Sequence, residues 1–446
     1  MRRRDFLGKT IIGTAGVALG ASGILTASCK GANSKVVLAL IGAGGRGLPT
    51  IINACKVNTN VEIKTVCDVN DLNAAKAISE IEKQFGYKPL QSKNMKEVFD
   101  DRDIDAVWIS TPDHWHALAT VWACQAGKDV YVEKTPNNCI WEGRKMIEAA
   151  KKYKQIVQVG FQNRSASFAA SAREYISSGK LGNVVHVKIY NLLPGKKWEP
   201  QPDAEVPQGL DWDAWLGPTP FLPFNPGILK GWNNFWAYNV GTLNDASHQL
   251  DLVRMVMGDP VQPKSICAWG GNNAWGSQRE TPELQAITYD FTKFTVTLDS
   301  GIATNYMKKT PVNIRMDPTL FPDWKTNADR IEIYGTEGLM YLGRHGGGWQ
   351  VIGPKEQILA QEGGIHPDKD HQINFIESVR SHKKPNADVE QAHLSASLVH
   401  FGNIACRAGN KQLYFNAENE QFIDNDEANR LLKTTYRDNY KMPEKV

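Results

Sequence analysis

The apolar run Val36 to Ile41 leads without a break into Gly42-Ala43-Gly44-Gly45-Arg46-Gly47, and no other stretch limits so tightly what this chain can become. A strand that ends in Gly-x-Gly-x-x-Gly must turn sharply and start a helix, which builds a seat for a pyrophosphate. Gly42 allows the tight turn, and Gly44 lets the backbone approach the phosphates. Gly47 lets a helix from about Leu48 pack on the strand with its positive end toward the ligand. Gly45 and Arg46 complete the loop. A second strand-like run, VEIKTVC, leads into Asp68, about 20 residues on, where a carboxylate suits the ribose hydroxyls. The same charge repels a 2′-phosphate, so NAD is expected over NADP.

At 446 residues the chain is too long for one compact core, and about two domains are expected. A net charge of +3 with no basic run gives no argument for a nucleic-acid partner. The seven cysteines form no Cys-x-x-Cys pair, so neither a disulfide framework nor a structural zinc site is expected. His366, His371 and His393 match no metal-ligand spacing, so no metal is expected either.

The N-terminus reads as an address label over residues 1–30. Arg2, Arg3 and Arg4 precede a glycine- and alanine-rich apolar run that ends in small residues before Cys29, the layout of a twin-arginine export signal. The run is too weakly apolar for a permanent membrane span. Cleavage before Cys29 would leave a lipid anchor there; the alternative is an ordinary signal peptidase site. Export would place the protein in the periplasm. With no nicotinamide pool in that compartment, the cofactor is expected to stay tightly bound through each turnover.

From 35 to 157 strands alternate with helices, which predicts a doubly wound parallel sheet with ligands at the carboxyl ends of the strands. Two loops at those ends carry chemistry-capable side chains: Thr111-Pro112-Asp113-His114-Trp115-His116 and Glu133-Lys134-Thr135-Pro136. A lysine buried at a strand end can polarise a hydroxyl and move a proton beside a hydride transfer. Over 158–370, runs such as AITYDFTKFTVTLDS, GIATNYMKK and ADRIEIYGTEGLMYLG read as a large, mainly antiparallel open sheet in an α+β substrate and oligomerisation domain. GRHGGGW, from Gly343, reads as a hairpin turn. Residues 371–446 read as a C-terminal helix and tail packing back on the first domain.

The motifs GAGGRG, TPDHWHA, VYVEKTP, VQVGFQNR, LDWDAWLGPTP and SHQLDLVRMVMG, in that order, resemble the Gfo/Idh/MocA oxidoreductase family over nearly all of the chain after residue 35. The resemblance implies a lysine near the nicotinamide, here Lys134, with Thr111, Pro112, His116 and Glu133 beside the cofactor. Thr135 stands where the family has proline, and Pro136 follows one place later. The resemblance also places His248 near the reacting carbon and implies a homo-oligomer. The position four residues before that histidine is often aspartate in the family; here it is Asn244, with Asp245 next to it. An amide orients a hydroxyl but accepts no proton, so either Asp245 has taken the role or Lys134 and His248 share the proton work.

For substrate, Trp236 and Tyr238 in an aromatic-rich stretch suit the faces of a carbohydrate ring. Arg164 suits either a substrate hydroxyl or carboxylate, or an inter-domain salt bridge. These features together predict an NAD-dependent oxidoreductase acting on a sugar or glycoside hydroxyl. Two alternatives stand beside it. One is a redox-neutral glycoside hydrolase or epimerase working by oxidation, elimination and re-reduction, although its Tyr-Pro-Thr-His-Gly type of site is not found. The other is a non-catalytic sugar-binding relative.

Overall fold

The computed structural model describes residues 34–446; the arginine-led segment and Cys29 lie outside them. The first sheet is built from β1 (Val36–Ile41), β2 (Val61–Cys67), β3 (Leu90–Ser92), β4 (Ala106–Ile109), β5 (Asp129–Val132) and β6 (Val157–Val159). Its order is β3-β2-β1-β4-β5-β6 and every pairing is parallel. Helices cover both faces, and strands buried on both sides are apolar almost throughout. On one face α1 (Gly47–Val57) and α2 (Asp71–Phe85) pack on Leu38, Leu40 and Trp108. On the other, α4 (Asp113–Gln125) and α5 (Ile140–Tyr153) pack on Ala39, Val107 and Val130. The short α3 (Met95–Asp100) follows β3. Asn70 begins α2 by accepting the Leu72 N–H, which explains why the helix starts immediately after the second strand.

Strand order reverses between β1 and β4, and ligands bind at such a switch point, outside the carboxyl ends of the strands. Both motif loops leave the sheet at this edge. The Thr111 loop follows β4 and the Lys134 loop follows β5.

The second sheet has ten strands. Along the chain come α6 (Ser167–Ser177), β7 (Val184–Leu192), the short helices α7 (Trp212–Leu216) and α8 (Pro226–Gly231), and α9 (Leu243–Val256). They are followed by β8 (Ser265–Gly271), β9 (Leu284–Asp290), β10 (Thr295–Gly301), the short α10 (Val312–Met316), β11 (Arg330–Gly335), β12 (Leu339–Gly343), β13 (Trp349–Ile352) and β14 (Ile358–Glu362). After α11 (Asp368–Ser381) and α12 (Val389–Arg407), β15 (Gln412–Asn416) and β16 (Gln421–Phe422) extend the edge beside β8. All pairings are antiparallel except β7 with β10. The inward side chains of β7, β9 and β10 alternate with half-exposed ones, and α6, α9 and α12 close the inner face. The run GIATNYMKK departs from the strand expected of it: Gly301 ends β10, and the residues beyond form a loop joined to Asn327 by a single bridge at Lys308.

The C-terminal elements tie the two domains together. From α11, Phe375 packs edge-on against Trp108 and Tyr131 of the first sheet. Along α12, Val389 and Ala392 pack with the first domain, whereas Leu398, Val399 and Phe401 join the core of the second. The tail returns to the first domain, where the Tyr436 hydroxyl donates to buried Glu142 at 2.7 Å.

Candidate active site

One cleft of about 690 Å³ runs from the glycine turn after β1 to the N-terminal half of α9. At its nucleotide end Gly42 has a φ of +86°, and an added Cβ would lie 2.8 Å from the Ser110 carbonyl and the Thr111 nitrogen. Only glycine fits that crossing of backbones. Gly44 and Gly45 face open space, with nothing within 4 Å of an added Cβ, whereas one on Gly47 would meet the Gly42 oxygen at 2.1 Å. Arg46 holds the N-cap position of α1 without a side-chain capping bond, so the first-turn N–H groups are left for a ligand. Its guanidinium turns instead to Glu133 at 3.0 Å and Asp368 at 3.2 Å. Asp68 accepts the Ala43 N–H at 2.7 Å and the Asn70 N–H at 2.8 Å, so the acid after β2 braces the glycine turn. Burial pushes its carboxyl above the usual value, partly countered by those N–H groups. A bare glycine turn, an uncapped helix end and a carboxylate one strand away fit a dinucleotide.

Thr111, Pro112, His116 and Glu133 line the same cleft. The two ring nitrogens of His116 lie 2.7 Å from the Thr135 carbonyl and 2.8 Å from the Thr111 carbonyl, so the ring ties the two motif loops together. His114 is buried with Nε2 at 2.9 Å from the Trp215 carbonyl, and burial pulls its pKa to about 3.

At the other end Lys134 follows β5, and the peptide joining it to Thr135 is cis. Its Nζ donates to the Asn244 carbonyl at 3.1 Å and also to Asn244 Oδ1. Burial pulls its pKa down, while Asp245 and Asp113 pull it up. The Asn244 amide then donates through Nδ2 to Asp113 Oδ2 at 2.5 Å and to Thr135 Oγ1 at 3.2 Å. One turn on, His248 packs edge-on against Phe161 and His345. Burial, then Arg344 and Lys134, hold it well below the ordinary histidine value, so it is neutral at pH 7.

Asp245 lines the cleft but is committed elsewhere. Arg344 grips both of its oxygens, at 2.7 and 2.8 Å, and Lys309 adds a third contact at 2.9 Å. Burial opposes its charge, yet Arg344 and Lys309 hold it well below the usual carboxylate range. Of the two arrangements the sequence leaves open, the one with Asp245 as proton acceptor is opposed by these contacts: a carboxylate held that low takes no proton near neutrality.

The structure also moves three residues out of the substrate set. Arg164 is buried in ion pairs with Asp251 at 2.7 Å and Asp259 at 3.0 Å. The salt-bridge alternative is therefore the one realised, fastening α9 to the segment after β6. Tyr238 is buried against His114 and Trp215, and the Trp236 ring lies beside the Arg407 guanidinium. Neither lines the cleft, whose tryptophans are Trp115, Trp215 and Trp232.

Other lining residues escaped the sequence reading. Gln162 and Asn163 line the cleft from the loop after β6, and their neighbourhood in VQVGFQNR was a usable signal. Asp113, in the loop after β4, also lines the cleft, and nothing in the sequence gives it a role. Arg344 and His345 come from the hairpin turn between β12 and β13, which is a turn as read but also delivers two side chains to the site. No spacing rule links Arg344 to Asp245. His366 reaches the cleft rim, whereas His371 bonds to the Val159 carbonyl and His393 to Glu420. Among the described residues no group of His, Cys, Asp and Glu is arranged to hold a metal ion.

The cleft thus has a dinucleotide seat on a Rossmann-type domain at one end and a lysine ringed by polar side chains, shared with the second domain, at the other. Residues 36–161 match the model of the oxidoreductase family's NAD-binding Rossmann fold, and 171–274 with 330–442 match its C-terminal alpha/beta domain. The chain belongs to the Gfo/Idh/MocA oxidoreductase family. It is similar to levoglucosan dehydrogenase of Pseudarthrobacter phenanthrenivorans, 25% identical over 62% of this chain and 63% of that protein. It is also similar to scyllo-inositol 2-dehydrogenase (NAD(+)) of Bacillus subtilis, 25% identical over 56% of this chain and 59% of that one. The chain thus spans less than two thirds of the length of these relatives. Among solved structures, the WlbA dehydrogenase from Bordetella pertussis, in complex with NADH and UDP-GlcNAcA, superposes with a TM-score of 0.61. That match is 17% identical and covers 86% of this chain and 99% of the other, a likeness of fold.

Proposed function

We propose that this protein is an NAD-dependent dehydrogenase of a secondary hydroxyl on a sugar or cyclic polyol. The observation that carries the reading is the setting of Lys134 in the cleft. Two of the positions around its Nζ are held by the two oxygens of Asn244, which leaves one position for a third partner. When the amine is neutral that position is a lone pair; when it is an ammonium it is an N–H.

A nicotinamide dinucleotide held by the glycine turn and Asp68 would supply the hydride acceptor. Lys134 in its neutral form takes the proton of the substrate hydroxyl as the carbon–hydrogen bond gives up its hydride, and the ammonium returns the proton in the reverse direction. Burial lowers the pKa of Lys134, which favours the neutral form that this role requires. His248, kept neutral, orients the hydroxyl rather than competing for its proton. Trp232 and Trp215 offer apolar faces to a ring whose hydroxyls meet polar groups at its edge. The relatives named for levoglucosan and inositol act on polyhydroxylated rings, which supports that substrate class.

Asp68 supports NAD over NADP, since its carboxylate would repel a 2′-phosphate. The arginine-led N-terminus supports export by the twin-arginine route and a cofactor retained between turnovers. The test is to purify the mature protein without added nucleotide and identify any nicotinamide released on denaturation. The intact protein is then scanned for reduced-nicotinamide absorbance against sugars and polyols. Bound NAD with a sugar-dependent rise supports the reading; a protein that binds no nicotinamide defeats it.

A further inference from the structure

We propose that Asp113 is the positioning residue of the reaction centre: through the Asn244 amide, its carboxylate fixes which end of that amide meets Lys134, and its charge supports the lysine. The inference deepens the reading of Lys134 as the proton-handling group and rests on it.

The two ends of an asparagine amide have nearly the same shape, so only their partners decide which way it points. Lys134 as an ammonium carries donors alone and requires the Oδ1 end. The Nδ2 end must then find acceptors, and it finds Asp113 Oδ2 at 2.5 Å and Thr135 Oγ1 at 3.2 Å. The Thr135 hydroxyl would tolerate either end, because it can donate or accept. Ionised Asp113 can only accept, so of the two acceptors at the Nδ2 end it is the one that forbids the flipped amide, and it does so whether Lys134 is neutral or charged.

Asp113 is itself well held for this task. It is 2% exposed, opens the first turn of α4, and accepts a second amide, Asn239 Nδ2, at 2.8 Å. Asn239 Oδ1 in turn accepts the Gly241 N–H at 2.9 Å in the turn that leads into α9. One carboxylate from the nucleotide domain therefore orients both the amide that touches Lys134 and the loop that delivers it. The N-terminal end of α4 favours a negative charge at that point.

The charges around the pair are few. His116 faces Asp113 from α4, and Lys134 faces it from the loop after β5. Asp245 of α9, Arg344 of the β12–β13 turn and Glu133 act on Lys134. Burial pushes the Asp113 carboxyl up to about 6, against His116, Lys134 and Asn244. Asp113 does not accept from Lys134 directly; it acts one amide away.

The experiment follows the pH dependence of Lys134 acetylation by acetic anhydride, read by mass spectrometry on the intact protein. The same variants are assayed for kcat and KM. Asp113→Asn keeps the shape and removes the charge. Its Lys134 should titrate about one pH unit lower than in the wild type, with kcat falling about a hundredfold and KM little changed. Adding Asn244→Asp restores a carboxylate, now in direct contact with Lys134. The double variant should regain the wild-type titration and most of kcat, which a merely structural role for Asp113 would not predict. Should Asp113→Asn fail to fold, Asp113→Ser, which also removes the charge, is titrated in its place, and the same lowering of the Lys134 titration is expected. An unchanged Lys134 titration in the folded variant tested, or a double variant no better than Asp113→Asn, overturns the proposal. Absence of turnover with every sugar would sink the dehydrogenase reading, while the acetylation titration would still decide the role of Asp113.

Discussion

The nucleotide end of the cleft comes from one stretch of chain, the turn after β1 and the acid after β2, held together by the 2.7 Å bond from Ala43 N–H to Asp68. The reacting end is assembled from separate segments. Asp113 comes from the start of α4, Lys134 from the end of β5, Asn244, Asp245 and His248 from α9, and Arg344 from a hairpin turn in the second sheet. The first end is fixed by backbone geometry within one βαβ unit and tolerates few residue types. The second is fixed by side chains that find one another only once both domains are folded. Substitutions at the nucleotide end should therefore change affinity, whereas those at the reacting end should change rate or domain stability.

The largest expected effect tests that division directly. Lys134→Ala should lower kcat by roughly a hundredfold to ten-thousandfold, while NADH binding, followed by nucleotide fluorescence, stays within about twofold. Turnover that survives the substitution would remove Lys134 from the chemistry. Loss of nucleotide binding with the rate would mean that the two ends are not separable.

Asp245→Asn should act on stability. The Arg344 side chain is 2% exposed, and removing its counter-charge leaves a buried cation without a partner. The cost is about 3 kcal/mol, read from the denaturant midpoint. The sign with pH follows from the carboxyl being held low in the folded state. Its contribution is complete above the unfolded value of about 3.9 and is lost as pH falls through the folded value. The wild type should lose this part of its stability below about pH 4, and Asp245→Asn should show no such loss. Equal acid sensitivity in both proteins would mean that the Arg344 pair contributes little.

The same contrast explains what could be read from the sequence. Gly42, Gly44, Gly47 and Asp68 were legible because their spacing is set by one turn and one strand, and sequence distance stands for spatial distance there. The strand end and the helix that carry Lys134 and His248 are legible, and both residues line the cleft, but what singles out His248 is the family resemblance. The sequence leaves the role of Asp245 open because its partners, Lys309 and Arg344, lie far along the chain, and a carboxylate cannot be assigned a role until its cations are known. Arg164 keeps both its substrate and its salt-bridge reading in the sequence for the same reason, since Asp251 and Asp259 lie far along the chain. The alternating strands of the second sheet are plain in the sequence, but the loop after β10 is not, since GIATNYMKK has the composition of a strand yet pairs only at Gly301 and at the Lys308 bridge.

Asp68→Ala removes a charged acceptor from two N–H groups as well as the candidate ribose contact. Hydrogen bonds to a charged group contribute about 1.5–3 kcal/mol, so NAD affinity should fall about tenfold or more while NADP gains relative to it. The ratio of the two dissociation constants measures this. An unaltered ratio would confine Asp68 to bracing the turn.

The smallest effects distinguish the aromatic residues that meet substrate from those that only pack. Trp232 lines the cleft, whereas Trp236 lies outside it with its ring beside Arg407. An aromatic face against a sugar ring contributes about 1 kcal/mol beyond the area it covers, so Trp232→Ala should raise KM about fivefold. Trp236→Ala should leave KM within about twofold, since it removes no contact in the cleft. The reverse ranking would place the ring at a different mouth of the cleft, nearer the turn before α9. The reacting end would then have to be redrawn around Asn239 rather than around the hairpin that carries Arg344.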